Sequence, residues 1–112
     1  MTVREREIGD VTVIDVNGRI TEEEGVTDLG ETVQRLAQAG RTRIVLNLRD
    51  TPYIDSTAMG EIVHGYTTVT RRGGALKLLN PIGRVHDLLT VTKLATIFET
   101  FDSERDAVAS FH

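Results

Sequence analysis

The sequence predicts an α/β domain built on one mixed, mostly parallel β-sheet of about five strands, with an N-terminal antiparallel hairpin and about four helices. Two β-branched, partly alternating segments flank a Gly-Asp pair near the start, which is typical of a hairpin. Later in the chain, short apolar runs alternate with segments of helical periodicity, which is the pattern of a parallel sheet. The 112 residues suffice for one core, so residues 1–112 are assigned to a single domain.

The first half of the chain predicts a hairpin, a helix and a central strand. TVREREI and VTVIDVNG form the hairpin, and Gly9-Asp10 supplies its turn. After the polar segment RITEEEG, a helix is predicted from apolar residues at helical spacing: Val26, Leu29, Val33 and Leu36. Gly40 is expected to end this helix, because glycine readily adopts the left-handed backbone of a helix end. The unbroken apolar run in RIVLNL indicates a central strand that is covered on both faces.

The second half repeats the order of strand and helix. From Ser56, a helix that stops at Arg71-Arg72 and Gly73-Gly74 is predicted from the apolar positions Met59, Ile62, Val63 and Tyr66. ALKLL is the next strand, and Asn80-Pro81 is expected to cap a helix with the apolar positions Ile82, Val85, Leu88 and Leu89. TIFETF predicts the last strand, and Ser103 is expected to cap a final helix with the inward positions Ala107, Val108 and Phe111. The pattern does not define the order of the strands in the sheet.

The composition limits the classes of function. No apolar run approaches the roughly 18 residues of a membrane-spanning helix, and the amino terminus lacks the apolar centre of a signal peptide, so we expect a cytoplasmic protein. The chain has no cysteine, which rules out disulfides, thiolate catalysis and cysteine-ligated zinc. With 13 basic and 17 acidic residues, the net charge of −4 disfavours nucleic acid or an anionic membrane as the main partner.

The segment YIDSTAMG (residues 53–60) places Ser56 between an acidic residue and the start of a helix, at a junction where functional groups of open α/β sheets collect. Ser56 has three interpretations: a helix cap, a nucleophile or a phosphorylation site. Serine is among the preferred N-cap residues, so a cap alone could explain it. Phosphorylation requires only an accessible hydroxyl, because a kinase supplies the nucleotide and the catalytic groups. The residues by themselves leave cap and switch open.

Catalysis, nucleotide binding and metal binding are less well supported at this segment. His64 lies roughly 12 Å from Ser56 along the helix axis, at about 1.5 Å per residue, and so cannot be its base. His86 and His112 would reach it only through tertiary folding. The segment lacks both the Gly-x-Ser-x-Gly frame of hydrolases and the glycines and lysine of a phosphate-binding loop. A metal site is conceivable on three carboxylates that are more often solvated or capping: Asp50, Asp55 and Glu61. We therefore predict a non-enzymatic protein without metal, cofactor or small-molecule substrate.

The stretch IVLNLRDTPYIDSTAMGEIVHGY resembles the signature region of STAS-domain proteins, specifically the bacterial anti-sigma factor antagonists. The family motif Asp-Ser-Ser/Thr-Gly/Ala-Leu/Met-Gly matches every position from Asp55 to Gly60. The resemblance implies that an anti-sigma factor with serine kinase activity phosphorylates Ser56. It implies further that only the unphosphorylated form binds this anti-sigma factor and so frees the sigma factor. A phosphatase would then remove the phosphate and restore binding. The resemblance also implies that Asp55, Ser56, Thr57 and Met59 belong to the partner-binding surface, and that Gly60 allows close packing of its helix.

The chain departs from the family pattern after the second strand. Phospho-regulated members commonly read Gly-Glu-Leu/Ile-Asp there, whereas this chain reads Gly18-Arg19-Ile20-Thr21. Arg19 reverses a charge near the expected docking face, and Thr21 replaces a carboxylate near the phosphoacceptor; both are predicted to lie on the partner-binding surface. The departure leaves a second hypothesis open, which is a STAS interaction module, such as a signalling scaffold or a transporter accessory subunit, in which Ser56 is only a helix cap.

Overall fold

The strands form one five-stranded sheet in which their order follows the sequence. The computed structural model describes all residues 1–112. The strands are β1 (Thr2–Ile8), β2 (Val11–Asn17), β3 (Arg43–Asp50), β4 (Ala75–Leu79) and β5 (Thr100–Phe101). β1 pairs antiparallel with β2, and all other neighbours are parallel. The predicted mixed sheet with its N-terminal hairpin is therefore confirmed.

Four helices cover the two faces of the sheet unequally. They are α1 (Val26–Gln38), α2 (Ser56–Arg71), α3 (Gly83–Val91) and α4 (Glu104–Ala109), and a 3-10 turn (Leu94–Thr96) follows α3. The main core of 20 buried residues lies between the sheet and the first three helices. A smaller cluster of five residues lies under α4 on the other face. No helix combines the length and apolar character that are needed to cross a membrane.

The strand β3 is buried on both faces, as its apolar run predicts. Ile44 and Leu46 contribute to the main core, whereas Val45 belongs to the cluster under α4, and each is at most 1% exposed. This alternation follows from the two-residue period of a strand, which sends successive side chains to opposite faces. Because β2, β3 and β4 run parallel, their carboxyl ends lie at the same end of the sheet.

The predicted stop signals of α1 and α2 are confirmed. Gly40 has φ 82°, its N–H donates to the carbonyl oxygen of Ala37 at 3.1 Å, and the N–H of Arg41 donates to that of Leu36 at 2.8 Å. This pair of bonds satisfies carbonyl groups that have no partner within the helix, and it requires a left-handed residue. The same arrangement ends α2 at Gly73, with φ 80°.

The predicted close-packing role of Gly60 is wrong. Gly60 is exposed, and a Cβ atom there would meet nothing within 4 Å. The contact between α1 and α2 instead involves Gly30 and Gly65, since a Cβ on Gly65 would lie 3.2 Å from Cγ1 of Val33. The error arises because Gly60 lies on the solvent side of α2, a property that depends on where the sheet is.

The predicted cap of α3 at Asn80-Pro81 is also wrong. α3 begins at Gly83, and the residue at its N-cap position is Ile82, which makes no side-chain cap. Asn80 still belongs to the end of the sheet, because its N–H donates to the carbonyl oxygen of Phe101 at 2.7 Å. Its backbone has φ 53°, which is the left-handed region that asparagine tolerates. The helix therefore starts only after the chain has left the sheet.

The predicted strand TIFETF is a strand only at its end, Thr100–Phe101. The preceding residues turn, with the N–H groups of Ile97 and Phe98 both donating to the carbonyl oxygen of Leu94. The turn carries Phe98 into the main core, where it is 4% exposed and packs edge-on against Tyr66 with ring centres 5.3 Å apart. Burial of this ring outweighs strand propensity at these positions.

The predicted capping of α4 by Ser103 is confirmed, because its hydroxyl accepts from the N–H of Asp106 at 3.3 Å. The inward positions also agree with the prediction: Ala107 is buried, and Val108 and Phe111 pack against the cluster under α4. α4 thus covers the face of the sheet opposite to the other three helices.

Candidate functional site

The Ser56 segment and the loop after β2 lie side by side at the carboxyl end of the parallel strands. The N–H of Ile20 donates to the carbonyl oxygen of Tyr53 at 3.0 Å, and the N–H of Asp55 donates to that of Ile20 at 3.2 Å. Ile20 and Ile54 form a parallel bridge between the two segments, and both side chains are buried. The segment GRIT is therefore held next to the segment DST by backbone hydrogen bonds, as the resemblance led us to expect.

Asp55 caps α2 and also holds the loop after β2. Its backbone is extended at the N-cap position, with Oδ1 accepting from the N–H of Ala58 at 2.8 Å. Oδ2 accepts from the N–H of Glu22 at 2.8 Å. These two backbone donors, first Ala58 and then Glu22, lower the pKa of the Asp55 carboxyl below its usual value. One carboxylate therefore positions both sides of the site.

The interpretation of Ser56 as the helix cap is wrong. The cap is Asp55, and Ser56 is the first residue with helical backbone. Aspartate and serine are both good N-cap residues, so sequence preference alone could not choose between adjacent candidates. Ser56 and its neighbour Thr57 are exposed, and the Ser56 hydroxyl takes no part in the cap. The serine is thus free of a structural task at the start of the helix.

Met59 does not belong to an exposed surface. Its side chain is 3% exposed and lies in the main core, so its predicted place on the partner-binding surface is corrected. The reason is its position one turn into α2, on the face that packs against the sheet. Of the residues predicted for that surface, Arg19 and Thr57 are exposed, and Asp55 and Thr21 are half-buried.

Thr21 shapes the loop after β2. Its hydroxyl accepts from the N–H of Glu24 at 3.2 Å, and its own N–H donates to the carbonyl oxygen of Glu24 at 2.7 Å. These bonds close a tight turn within the polar run TEEE. The Thr21 hydroxyl therefore stabilises the loop itself.

A cavity of about 330 Å³ opens beside Ser56, between the Ser56 segment and α3. It is lined by Tyr53, Ile54, Asp55, Ser56, Arg84, Asp87, Leu88 and Val91. Val91, which is 79% exposed, and the half-buried Leu88 give this cavity an apolar side. The sequence analysis did not include Arg84, Leu88 and Val91 in the site, although their spacing of four and three residues places them on one face of a helix.

Two arginines approach the ring of Tyr53 at the rim of this cavity. The guanidinium carbon of Arg19 lies 4.9 Å from the ring centre, and that of Arg84 lies 5.6 Å from it. Both distances are within the range of cation–π attraction. Arg19 comes from the loop after β2 and Arg84 from the first turn of α3, so three separate segments meet at this tyrosine.

No histidine lies beside Ser56, and the carboxylates of the site do not form a metal centre. None of the three histidines lines the cavity, and His112 lies 3.0 Å from Asp10 at the β1–β2 turn. No group of three or more His, Asp or Glu side chains is arranged to hold a metal ion, so Asp50, Asp55 and Glu61 do not converge. No histidine is therefore positioned to activate the Ser56 hydroxyl.

Substitutions of Asp55 can distinguish the contributions of its two carboxylate oxygens to stability. In Asp55→Asn, the carbonyl oxygen can still accept from Ala58, but the amide nitrogen cannot accept from Glu22; Asp55→Ala loses both bonds. We expect stability to fall from wild type to Asp55→Asn to Asp55→Ala at pH 7, measured by urea unfolding. Hydrogen exchange should show faster exchange at the Glu22 amide in both variants and at the Ala58 amide only in Asp55→Ala.

The difference in stability between wild type and Asp55→Asn should depend on pH, because the pKa of Asp55 is lowered in the folded protein. The carboxylate stabilises the fold above the ordinary aspartate pKa of about 3.9, and this stabilisation is lost as the pH falls through the lower pKa of the folded state. The gap between wild type and Asp55→Asn should therefore narrow on acidification. Asp102→Asn, at an exposed aspartate on another part of the surface, serves as the control. Unchanged protection of the Glu22 amide in Asp55→Asn would contradict the assignment.

Comparisons with known proteins agree with this geometry. The family model for the STAS domain matches residues 2–107. A candidate anti-sigma factor antagonist of Thermotoga neapolitana is 35% identical over 69 residues, and the anti-sigma F factor antagonist of Paenibacillus polymyxa is 31% identical over 65 residues. These alignments cover 62% and 58% of this chain, and 61% and 56% of the relatives, so the chain spans less than two thirds of either relative.

Solved structures share the fold over nearly the whole chain. A candidate anti-sigma factor antagonist of Thermotoga maritima has a TM-score of 0.91 at 24% identity, covering 97% of this chain and 93% of that one. The Bacillus protein SpoIIAA in its phosphorylated form has a TM-score of 0.79 at 17% identity, covering 99% and 100%. Its unphosphorylated form, described as an anti-sigma factor antagonist, has a TM-score of 0.74 at 18% identity, covering 97% and 96%. From the family match and this shared fold, the chain belongs to the STAS domain family.

Proposed function

We propose that this protein is an anti-sigma factor antagonist that acts by partner switching, with Ser56 as its phosphoacceptor. The unphosphorylated form binds an anti-sigma factor with serine kinase activity and thereby releases the sigma factor. Phosphorylation of Ser56 ends this binding, and a phosphatase restores it. The observation that carries the proposal is the position of Ser56, which is exposed at the first residue of α2 while Asp55 makes the cap.

The division of roles between Asp55 and Ser56 suits a reversible modification. Since the cap bond is made by Asp55 Oδ1, esterifying the Ser56 hydroxyl removes no bond of the cap. The amino end of a helix carries partial positive charge, so the fold tolerates an added anion there. The relative SpoIIAA, which is described in a phosphorylated and an unphosphorylated form, shares this fold in both. Phosphorylation is therefore proposed to act on the surface that the partner contacts.

The surroundings of Ser56 fit a docking surface for another protein. Exposed polar groups at Arg19 and Thr57 flank the serine, and the apolar side chains of Leu88 and Val91 line the adjoining cavity. Exposed apolar residues close to polar ones are typical of protein–protein contact sites. The high exposure of Val91 is accounted for if the anti-sigma factor covers it.

Phosphorylation of Ser56 is the direct test. Incubation with the anti-sigma kinase, ATP and magnesium should add one phosphate, measured by intact mass, to the wild-type protein. Ser56→Ala should remain unmodified, and Thr57→Ala, which removes the neighbouring exposed hydroxyl, should still accept one phosphate. Equal phosphorylation of Ser56→Ala and wild type would place the modification elsewhere. Failure of every encoded kinase of this class to modify the wild-type protein would refute the proposal.

A further inference from the structure

Two cations without a carboxylate partner lie near the proposed phosphoacceptor. Arg19 and Arg84 both approach Tyr53, and neither forms a salt bridge with a carboxylate of the protein. Arg84 and Ser56 line the same cavity of about 330 Å³. Stacking on an aromatic ring orients a guanidinium group and leaves the N–H donors at its edge available.

We propose that Arg84, assisted by Arg19, binds the phosphoryl group of phosphorylated Ser56, so that the modified side chain is held by the chain's own surface. The inference rests on the proposed function, because it concerns the phosphorylated state of the same site. A phosphoserine brings about −1.5 to −2 charges and three acceptor oxygens at neutral pH. The planar fork of arginine donates two parallel hydrogen bonds to such a group, which fits the two unpaired guanidinium groups beside the cavity.

The other charged and titratable groups at the cavity do not remove this attraction. Asp55 is the nearest anion along the chain, and both of its carboxylate oxygens already accept from backbone N–H groups. Asp87 also lines the cavity, but it is exposed and therefore solvated. Tyr53 provides the ring that both guanidinium groups approach. The N-terminal ammonium of Met1, which donates a hydrogen bond to Glu24, is the main cause of the lowered pKa of that carboxyl; the charge of Arg19 contributes less, and Arg19 forms no ion pair with Glu24. Two cations thus remain for the phosphoryl group.

The titration of the phosphate itself is the test. Phosphoserine is incorporated at position 56 during translation, and the phosphate pKa, ordinarily about 6, is measured by phosphorus NMR. Because an arginine favours the dianionic phosphate, Arg84→Gln should raise this pKa by about half a unit relative to wild type, which suits an exposed ion pair. Arg19→Gln should raise it by less, and Arg84→Lys should preserve part of the effect. The difference between wild type and Arg84→Gln should shrink in about 1 M salt.

Arg105→Gln is the matched control, since Arg105 is an exposed arginine on α4, across the sheet from Ser56. It removes the same charge and should leave the phosphate pKa as in wild type. Identical titrations of Arg84→Gln and wild type would overturn the proposal, and so would an equal shift in Arg105→Gln. The experiment uses no kinase, so its failure is distinguishable from failure of the proposed phosphorylation reaction, which the intact-mass assay tests alone.

Discussion

Phosphorylated Ser56 is expected to weaken binding to the anti-sigma partner by about 2–5 kcal/mol, or roughly 30- to 4,000-fold in Kd. The partner surface is proposed to cover Ser56 as a neutral hydroxyl, so docking the modified protein would remove a dianion from water without a new partner cation. Asp55 and Asp87 beside the same cavity add negative charge, which strengthens the penalty. The proposed contacts of the phosphoryl group with Arg84 compensate for only part of this cost. They are already present in the free protein, so docking adds no new attraction through them.

The measurement is calorimetric titration of the anti-sigma factor with five forms of the protein. Wild type and Ser56→Ala should bind with similar affinity, whereas the phosphorylated protein and, to a smaller extent, Ser56→Asp should bind weakly. Gln34→Glu is the control for charge alone, because Gln34 is exposed on α1 and its replacement adds one negative charge with almost no change of shape. An undiminished affinity of the phosphorylated protein would reject the switch and favour an interaction module that does not respond to Ser56.

Gly74→Ala is expected to be the most destabilising glycine-to-alanine substitution in the chain. It should lower the free energy of unfolding by about 3–5 kcal/mol. A Cβ atom at Gly74 would lie 2.1 Å from the carbonyl oxygen of Thr42 and 2.4 Å from its Cβ. That carbonyl oxygen accepts from the N–H of Ala75 at 2.9 Å, so it cannot move away without disturbing the start of β3 and β4. Such a loss is a large part of the stability of an ordinary domain.

Gly60→Ala is the matched comparison for this prediction. Gly60 lies in the exposed interior of α2 with free space around it, so a methyl group there should raise the free energy of unfolding by up to about 1 kcal/mol through helix propensity alone. Both variants are measured by urea unfolding against wild type. A Gly74→Ala protein as stable as wild type would mean that the β3 and β4 segments relax freely at this contact.

Gly74 and Gly60 show which roles of a glycine a sequence pattern can predict. Gly73-Gly74 was correctly predicted as a stop signal, because a helix end and its left-handed residue are properties of a few neighbouring residues. That Gly74 also touches Thr42 follows from the approach of two chain segments that are far apart in sequence. For the same reason Gly60 was assigned a packing role that belongs to Gly30 and Gly65.

The candidate site was likewise predicted only in part from the sequence. The motif DST and the neighbouring GRIT segment were found from a family resemblance, and the structure brings them together through the bridge between Ile20 and Ile54. The choice of Asp55 as the cap could not be made from propensity, since serine and aspartate both suit that position. The second bond of Asp55, to Glu22, connects residues 33 positions apart, and no local pattern indicates it.

The sequence by itself determined the α/β class, the N-terminal hairpin, the four helices and the serine at the start of α2, because hydrophobic periodicity and turn residues act between neighbours along the chain. Only the tertiary structure decided that Met59 is core, that Ser56 is released from capping, and that Arg19 and Arg84 meet at Tyr53. These features depend on which side of a helix faces the sheet and on which loops share one end of the parallel strands. Such relations arise from packing in space, which the local order of residues does not encode.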